Sequence, residues 1–332
     1  MAERERALIL APFSDEGLRE LQALVDVEYE SWLDTRRLHD PEELGQRLHE
    51  GGFSILIIES DFVFEETFDA APGLKLIGIC RAATSHVDLE TATLRGVPVV
   101  HAPGRNARAV AEHVLGLLLG LARHIPHAHA YTRTGQWNDP VEPYTRFRGV
   151  ELSGKTLGIV GLGAIGRVLV QLTQGFGMRI LAHDPYVTDA PSGVSLTELD
   201  GLLATSDFIV TLAPPSPSTA GLLDTRRLAL VKPTSFLVTA SGAGIAVQDA
   251  LVHALRERRI AGAAIDVFDT HPVAPDSPFL TLDNVVLTPH IGGATNETVA
   301  RHSAMMVEEV RRHLAGERPV HLANPDVWKR DA

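Results

Sequence analysis

The chain has 332 residues, of which 45% are hydrophobic and 22% are charged, a composition that is ordinary for a folded globular protein and excludes wholesale disorder. At the usual ~100–200 residues per domain, this length predicts two domains. The 42 acidic and 30 basic side chains give a formal net charge of −12, which argues against a nucleic-acid partner because such proteins carry a basic footprint.

Cysteine content and hydropathy indicate a cytoplasmic protein. The single cysteine, Cys80, excludes an internal disulfide framework, fits a reducing compartment and is predicted to pack in the core. The longest apolar run, around residues 114–122, is far shorter than the ~20 residues that cross a bilayer, so no membrane partner is expected. The first residues carry charges of both signs and too short an apolar core for a secretory signal.

Short apolar runs alternate with helical patterns in the first third of the chain. A helix is predicted over 14–24, and another begins at Pro41 with Asp40 as its N-cap. A long helical pattern over 107–124 leads into a polar, less regular segment over 127–150. The strands predicted in this part lie at residues 7–11, 54–58, 74–79 and 97–100.

A second alternating series follows and ends in a helix predicted over 296–314. Another helix is predicted over 247–258. The strands of this second series are predicted at residues 156–160, 179–182, 208–212, 235–238, 261–267 and 285–287. Alternation of strand and helix implies βαβ units, and therefore two α/β units with parallel sheets.

The segment that starts at Thr156 reads as a strand, a glycine turn and a helix. Gly161 permits a tight turn, Gly163 lets a pyrophosphate approach the backbone, and Gly166 lets helix and strand pack closely. The helix N-terminus, with Ala164 and Ile165, then offers N–H groups to the anion. These residues predict a dinucleotide site, the alternative being a plain βα turn.

Asp184 ends the strand that follows the glycine turn. An acidic side chain there binds ribose hydroxyls and repels a 2′-phosphate, which favours NAD over NADP.

Several segments together resemble the D-isomer-specific 2-hydroxyacid dehydrogenases, the superfamily that includes phosphoglycerate and formate dehydrogenases. The matching segments are residues 101–112, the glycine turn with Asp184, and residues 231–233, 266–268 and 288–295. The resemblance implies two Rossmann-like domains with parallel sheets, the nucleotide domain being inserted into the substrate domain. Residues 1–104 and 296–332 would form the substrate domain and residues 105–295 the dinucleotide domain, with the active site in the cleft between them.

The resemblance also assigns a catalytic set, which this chain alters. Family members use an arginine, a glutamate and a histidine to transfer hydride between nicotinamide and a 2-hydroxy acid. The T-P-H-x-G-G segment maps the histidine onto His290, the predicted acid/base. A gapless register places Gly242, beside Ser241, at the arginine position and His271 at the glutamate position.

These two replacements have chemical consequences. Glycine cannot bind a carboxylate as the arginine fork does, so Arg81, Arg105, Arg146 and Arg148 are candidate replacements. A protonated His271 would disfavour a positive charge on the His290 ring, the opposite of what a glutamate does.

Three functions remain open from the sequence. The first is an active NAD-dependent dehydrogenase of a small hydroxylated substrate, with shifted specificity or a relocated anion site. The second is use of NAD within an isomerisation or elimination. The third is a catalytically reduced NAD-binding sensor or interaction protein.

The resemblance implies further contacts. The loop at residues 81–88 is shorter than the substrate-carboxylate loop of the family and lacks its glycines. It supplies three of the substrate candidates. The alternative is that this loop packs against the hinge. Trp137 resembles an aromatic residue at the family's dimer interface and predicts a homodimer. His124, His127 and His129 lack accompanying ligands, so no metal is predicted. The substrate candidates are Thr84, Ser85, His86, Ser241 and Gly242, and the further cofactor candidates are Pro214, Ala240, Asp266 and Gly292.

Overall fold

The computed structural model describes residues 4–135 and 137–329. The chain forms two compact units, and the polypeptide passes from one unit to the other at two points. The terminal unit comprises the residues up to Arg105 and those from Thr295 onward, and the inserted unit comprises Asn106–Ala294.

The terminal unit is built on a parallel sheet with the strand order β2-β1-β3-β4-β5. Its strands are β1 Arg6–Ile9, β2 Asp26–Tyr29, β3 Ile55–Ile58, β4 Leu76–Ile79 and β5 Val99–His101. The helices between them are α1 Asp15–Leu24, α2 Trp32–Thr35, α3 Pro41–Glu50, α4 Glu65–Ala70 and α5 Leu89–Leu94. The strands β3 and β4 are buried throughout, because helices cover both faces of the sheet.

The inserted unit carries a second parallel sheet, in the order β12-β11-β10-β9-β6-β7-β8. Its strands are β6 Thr156–Val160, β7 Arg179–His183, β8 Val194–Leu196, β9 Phe208–Thr211, β10 Phe236–Thr239, β11 Gly262–Ile265 and β12 Val285–Leu287. Its α-helices are α6 Ala107–Ala122, α7 Ile125–Arg133, α8 Val141–Arg146, α9 Ala164–Thr173, α10 Leu199–Thr205, α11 Thr225–Leu228 and α12 Gln248–Arg256. The predicted α/β class with parallel sheets is confirmed.

The last α-helix, α13 Asn296–Leu314, returns the chain to the terminal unit. Thr295 caps it by accepting a hydrogen bond from the Thr298 amide, and Met306, Val307 and Val310 pack into the core that contains β1. The 3₁₀-helices are Gln174–Phe176, Pro278–Thr281 and Pro325–Lys329. Among the described residues, none of the helices combines the length and apolar character that a bilayer crossing requires.

The segment over 127–150, predicted to be irregular, contains α7 and α8, so that prediction was wrong. Pro126 does not interrupt the helix, because it lies in the first turn of α7, where a missing backbone N–H costs nothing. Two strands, β2 and β8, were not predicted. Both lie at sheet edges and are largely exposed, so they lack the apolar run that marks a buried strand.

Cys80 directly follows β4 and is fully buried, which confirms the prediction of core packing. Burial raises the pKa of its thiol.

The parallel sheet of the inserted unit brings its candidate residues to one edge. Because parallel strands all end on the same side, the loops that follow β6, β9, β10, β11 and β12 lie along that edge. Gly161, Pro214, Ala240, Asp266 and His290 stand in these five loops in turn.

Candidate active site

The glycine turn after β6 has the shape that an anionic ligand requires. Gly161 adopts φ 98°, and a Cβ there would lie 2.5 Å from the Ala213 nitrogen. A Cβ on Gly166 would lie 2.7 Å from the Gly161 carbonyl oxygen, so both positions need glycine. Around Gly163, by contrast, a Cβ would meet nothing within 4 Å, which leaves the backbone open to approach.

The start of α9 fits a phosphate group. This ten-residue helix begins at Ala164, with Ile165 beside it, and no side chain caps it. Its first N–H groups therefore point toward the open turn, where the helix dipole favours an anion.

Asp184 lies directly after β7 and is tied to the same turn. Its Oδ2 accepts the amide of Leu162 at 2.8 Å and its Oδ1 accepts the amide of Tyr186 at 3.0 Å. A carboxylate has about four acceptor positions, so two remain for hydroxyl groups. Together with the glycine turn, this arrangement fits the ribose and pyrophosphate of a dinucleotide.

The two histidines of the predicted catalytic set come together. The ring centroids of His271 and His290 are 4.9 Å apart, with the planes inclined by 47°. His271 also meets the buried Phe268 edge-on, at a centroid distance of 6.4 Å. Both histidines are exposed, so a small ligand has access to them.

His290 occupies an unusual turn. Its φ of 55° lies in the left-handed region that non-glycine residues rarely adopt. Its N–H donates to the carbonyl of Thr288 at 3.0 Å, which closes a tight loop around Pro289.

Asp266 holds that turn in place. Its Oδ1 accepts the Thr288 hydroxyl at 2.6 Å and the Ile291 amide at 3.0 Å, while Oδ2 accepts the Gly292 amide at 2.9 Å. Burial raises the pKa of the Asp266 carboxyl, but these bonds and one from His113 outweigh burial and hold that pKa well below its usual range. Asp266 and Gly292 were predicted to contact the cofactor; both are buried and engaged with each other, so direct contact stays a prediction.

Position 242 is closed to any side chain. A Cβ on Gly242 would lie 2.5 Å from Cδ and 2.7 Å from the backbone nitrogen of Pro215. The neighbouring Ser241 donates its hydroxyl to the Thr211 carbonyl at 2.9 Å, which fixes the loop. The loop is therefore shaped around glycine, and the family arginine has no room here without a backbone shift.

The predicted cofactor contacts Pro214 and Ala240 differ in exposure. Pro214 is exposed after β9, and its carbonyl accepts the Thr219 hydroxyl at 2.7 Å. Ala240 is buried after β10, so at most its backbone faces a ligand.

The substrate candidates of the terminal unit differ in exposure. Ser85 is exposed and Thr84 half-buried, whereas His86 is 8% exposed. Burial lowers the pKa of His86, and nearby Arg81 lowers it further. The backbone of His86 pairs with Val63, so this loop is anchored to the segment after β3.

Three of the four candidate arginines are engaged elsewhere. Arg105 is bound by Glu59 and His302, Arg146 by Glu142, and Arg148 lies over the ring of Tyr144. Arg81 has a 47% exposed side chain, and its ion pair within the described part of the chain is a long one, with Glu59 at 3.9 Å.

Sequence reasoning missed His113, whose ring reaches Asp266 and Thr288 from α6. The available signal was a histidine on a strongly apolar helix.

Comparisons with known proteins agree with this geometry. The model of the D-isomer-specific 2-hydroxyacid dehydrogenase NAD-binding domain matches residues 115–292, more than half of the chain. A glyoxylate reductase of Thermofilum pendens is 36% identical over 98% of this chain and 96% of its own length.

The chain belongs to the D-isomer-specific 2-hydroxyacid dehydrogenase family.

Two further matches are consistent with this. A D-3-phosphoglycerate dehydrogenase of Mycobacterium tuberculosis is 41% identical over 80% of this dehydrogenase, which spans about half of that relative's length. The structure of the TT0316 protein from Thermus thermophilus superposes with a TM-score of 0.84 at 33% identity, covering 96% of this chain and 99% of the other.

The family assigns the general chemistry. This dehydrogenase is an NAD-dependent oxidoreductase that acts on CH–OH groups, and the relatives favour that function over the isomerase and sensor alternatives. Gly242 and His271 stay the predicted departures from the family pattern.

Proposed function

We propose that this chain interconverts a small 2-hydroxy acid and its 2-keto acid, with His290 as the acid/base and His271 as its neighbour. The observation that carries the proposal is the contact between the two imidazole rings, 4.9 Å apart, on the loops that follow β11 and β12. A glyoxylate reductase among the relatives supports a small 2-keto acid as the substrate class.

The glycine turn, the start of α9 and Asp184 would hold NAD. When bound, NAD supplies the hydride acceptor or donor. His290, as a neutral imidazole, takes the hydroxyl proton during oxidation and, once protonated, returns it during reduction.

His271 changes the balance between these two directions. A glutamate at this position would stabilise the imidazolium form of His290, whereas an imidazole offers no negative charge. A proton on His271 would oppose a second positive charge 4.9 Å away. The imidazolium form of His290, which reduction requires, therefore lacks the support of a neighbouring carboxylate.

The substrate carboxylate needs a cation other than the family arginine. Gly242 supplies none, whereas the Arg81 side chain is 47% exposed and makes a long ion pair, with Glu59 at 3.9 Å. Arg81 therefore stays the sequence-based candidate for the anion contact. Contacts of Thr84, Ser85 and His86 with the substrate remain predictions.

NAD binding and turnover test this proposal directly. Calorimetry should show NAD binding that is much tighter than NADP binding, since Asp184 repels a 2′-phosphate. A panel of 2-hydroxy acids with NAD, followed at the nicotinamide absorbance, should identify a substrate. His290→Ala should then lower kcat by about 10²–10⁴-fold, the usual contribution of a general acid/base. His253→Ala, an exposed histidine on α12, is the matched control. Unchanged turnover in His290→Ala would remove this residue from the mechanism.

Assembly and location are further parts of the proposal. Apolar side chains are exposed on and beside α8, namely Trp137, Val141 and Tyr144, and such a surface is typical of a protein interface. They support a homodimer. The single, buried cysteine supports a cytoplasmic location.

A further inference from the structure

His113 contacts the turn that carries His290 from a different element. It lies on α6, a helix whose other inward-facing residues are apolar. Its Nε2 is 3.3 Å from Asp266 Oδ1 and 3.2 Å from the Thr288 hydroxyl.

The hydrogen on this histidine can be placed from its partners. The Thr288 O–H already donates to Asp266 Oδ1 at 2.6 Å, so its oxygen can only accept a further bond. An ionised carboxylate also only accepts. Nε2 of His113 therefore carries a hydrogen and donates it to both oxygens.

The Asp266 carboxylate thus accepts hydrogen bonds from four donors, which approach it from three directions. Thr288 approaches from before His290, Ile291 and Gly292 from after it, and His113 from α6. The packing is close: a Cβ on Gly292 would lie 2.9 Å from Asp266 Oδ2 and 3.5 Å from the His113 ring. Any shift of this carboxylate therefore moves both sides of the loop that presents the His290 ring.

We propose that His113 is a positioning residue that fixes the orientation of His290 by anchoring the carboxylate and hydroxyl on which its turn is built. This inference rests on the proposed role of His290 but has a structural consequence of its own. Without the His113 donor, Asp266 and Thr288 lose their hydrogen bonds to α6, and the turn that carries His290 becomes more mobile.

Three variants separate hydrogen bonding from packing. His113→Leu and His113→Asn remove the donor at Nε2, whereas His113→Gln keeps an N–H at a similar reach. His253→Leu on α12 is the control. Kinetics are measured together with amide hydrogen exchange of residues 288–292 in the full chain without substrate.

We expect His113→Leu and His113→Asn to lower kcat about 10- to 100-fold, because misplacement by about 1 Å can cost 10²-fold. KM and NAD affinity should change by less than about threefold, and the Ile291 and Gly292 amides should exchange faster. His113→Gln should recover most of both properties. His253→Leu should behave as the wild type.

Wild-type kcat and exchange in His113→Leu and His113→Asn would overturn the inference. So would a His113→Gln variant as impaired as His113→Leu, since only packing would then matter. If His113→Leu fails to fold, His113→Asn decides. If the wild type turns over no 2-hydroxy acid, the proposed function fails, while exchange at Ile291 and Gly292 still decides whether His113 anchors the turn.

Discussion

Single positions decide how this chain departs from its family. Because Pro215 occupies the space that a Cβ at Gly242 would need, the local backbone is shaped around glycine at the position where the family resemblance predicts an arginine. Returning the arginine would therefore disturb the loop before it could restore a charge.

Gly242→Ala should destabilise the protein by about 1–3 kcal/mol, the usual cost of overpacking. Gly116→Ala is the matched control, since that exposed helix position has no atom within 4 Å of the new Cβ. It should raise stability by up to about 1 kcal/mol because alanine is the better helix former. Urea denaturation measures both. A neutral effect of Gly242→Ala would show that the loop yields easily.

His271→Glu should extend reductive activity to higher pH, because a carboxylate beside His290 favours its protonated, proton-donating form. His271→Gln, which is similar in size and uncharged, should not do so. The pH dependence of kcat/KM for 2-keto acid reduction distinguishes the two. Identical profiles for both variants would mean that charge at position 271 does not act on His290.

At the scale of elements, the buried strands were predictable and the edges were not. Residues 156–160 and 285–287 were predicted with the observed bounds, because continuous apolar runs are typical of buried parallel strands. The exposed edge strand Asp26–Tyr29 has no such signal. The glycine turn and the pairing of His271 with His290 followed from motif register, whereas the His113 contact depends on tertiary packing and has no sequence spacing to reveal it.

The helix α13 carries a histidine that links stability to pH. His302 donates from Nε2 to the Pro12 carbonyl at 2.7 Å, and its Nδ1 faces an Arg105 N–H at 2.6 Å. Arginine only donates, so Nδ1 must accept and the ring is neutral. Burial, together with Arg105, lowers the pKa of His302 below the ordinary histidine value of 6.5, although Pro12 and Glu59 oppose this.

Stability should therefore fall as the pH drops below 6.5, because the unfolded chain binds the proton first. The loss is at most about 1.4 kcal/mol per pH unit for this one group, and it ends once the pH is below the folded pKa. The free energy of unfolding in urea at pH 7.5 and 5.5 tests this. His302→Gln should show a smaller difference between the two values; an equal difference would assign the effect to other histidines, such as His86 and His313.

At the scale of the whole molecule, assembly is the property to measure. Trp137→Glu should convert the proposed dimer to a monomer, because a charge cannot be buried unpaired at an interface. Light scattering after size exclusion reports the mass. Leu280→Glu, at another exposed apolar position of the inserted unit, is the control. A monomeric wild type would contradict the dimer itself.

The return of α13 to the terminal unit also sets an order of events during synthesis. The Ser14 amide donates to the Ser303 hydroxyl, and His302 donates to the Pro12 carbonyl, so these pairings form only after the inserted unit has been synthesised. The contacts of the inserted unit, by contrast, lie within one continuous segment, Asn106–Ala294. The inserted unit can therefore acquire its core first, while the strands of the terminal unit remain without α13 until that helix has been synthesised.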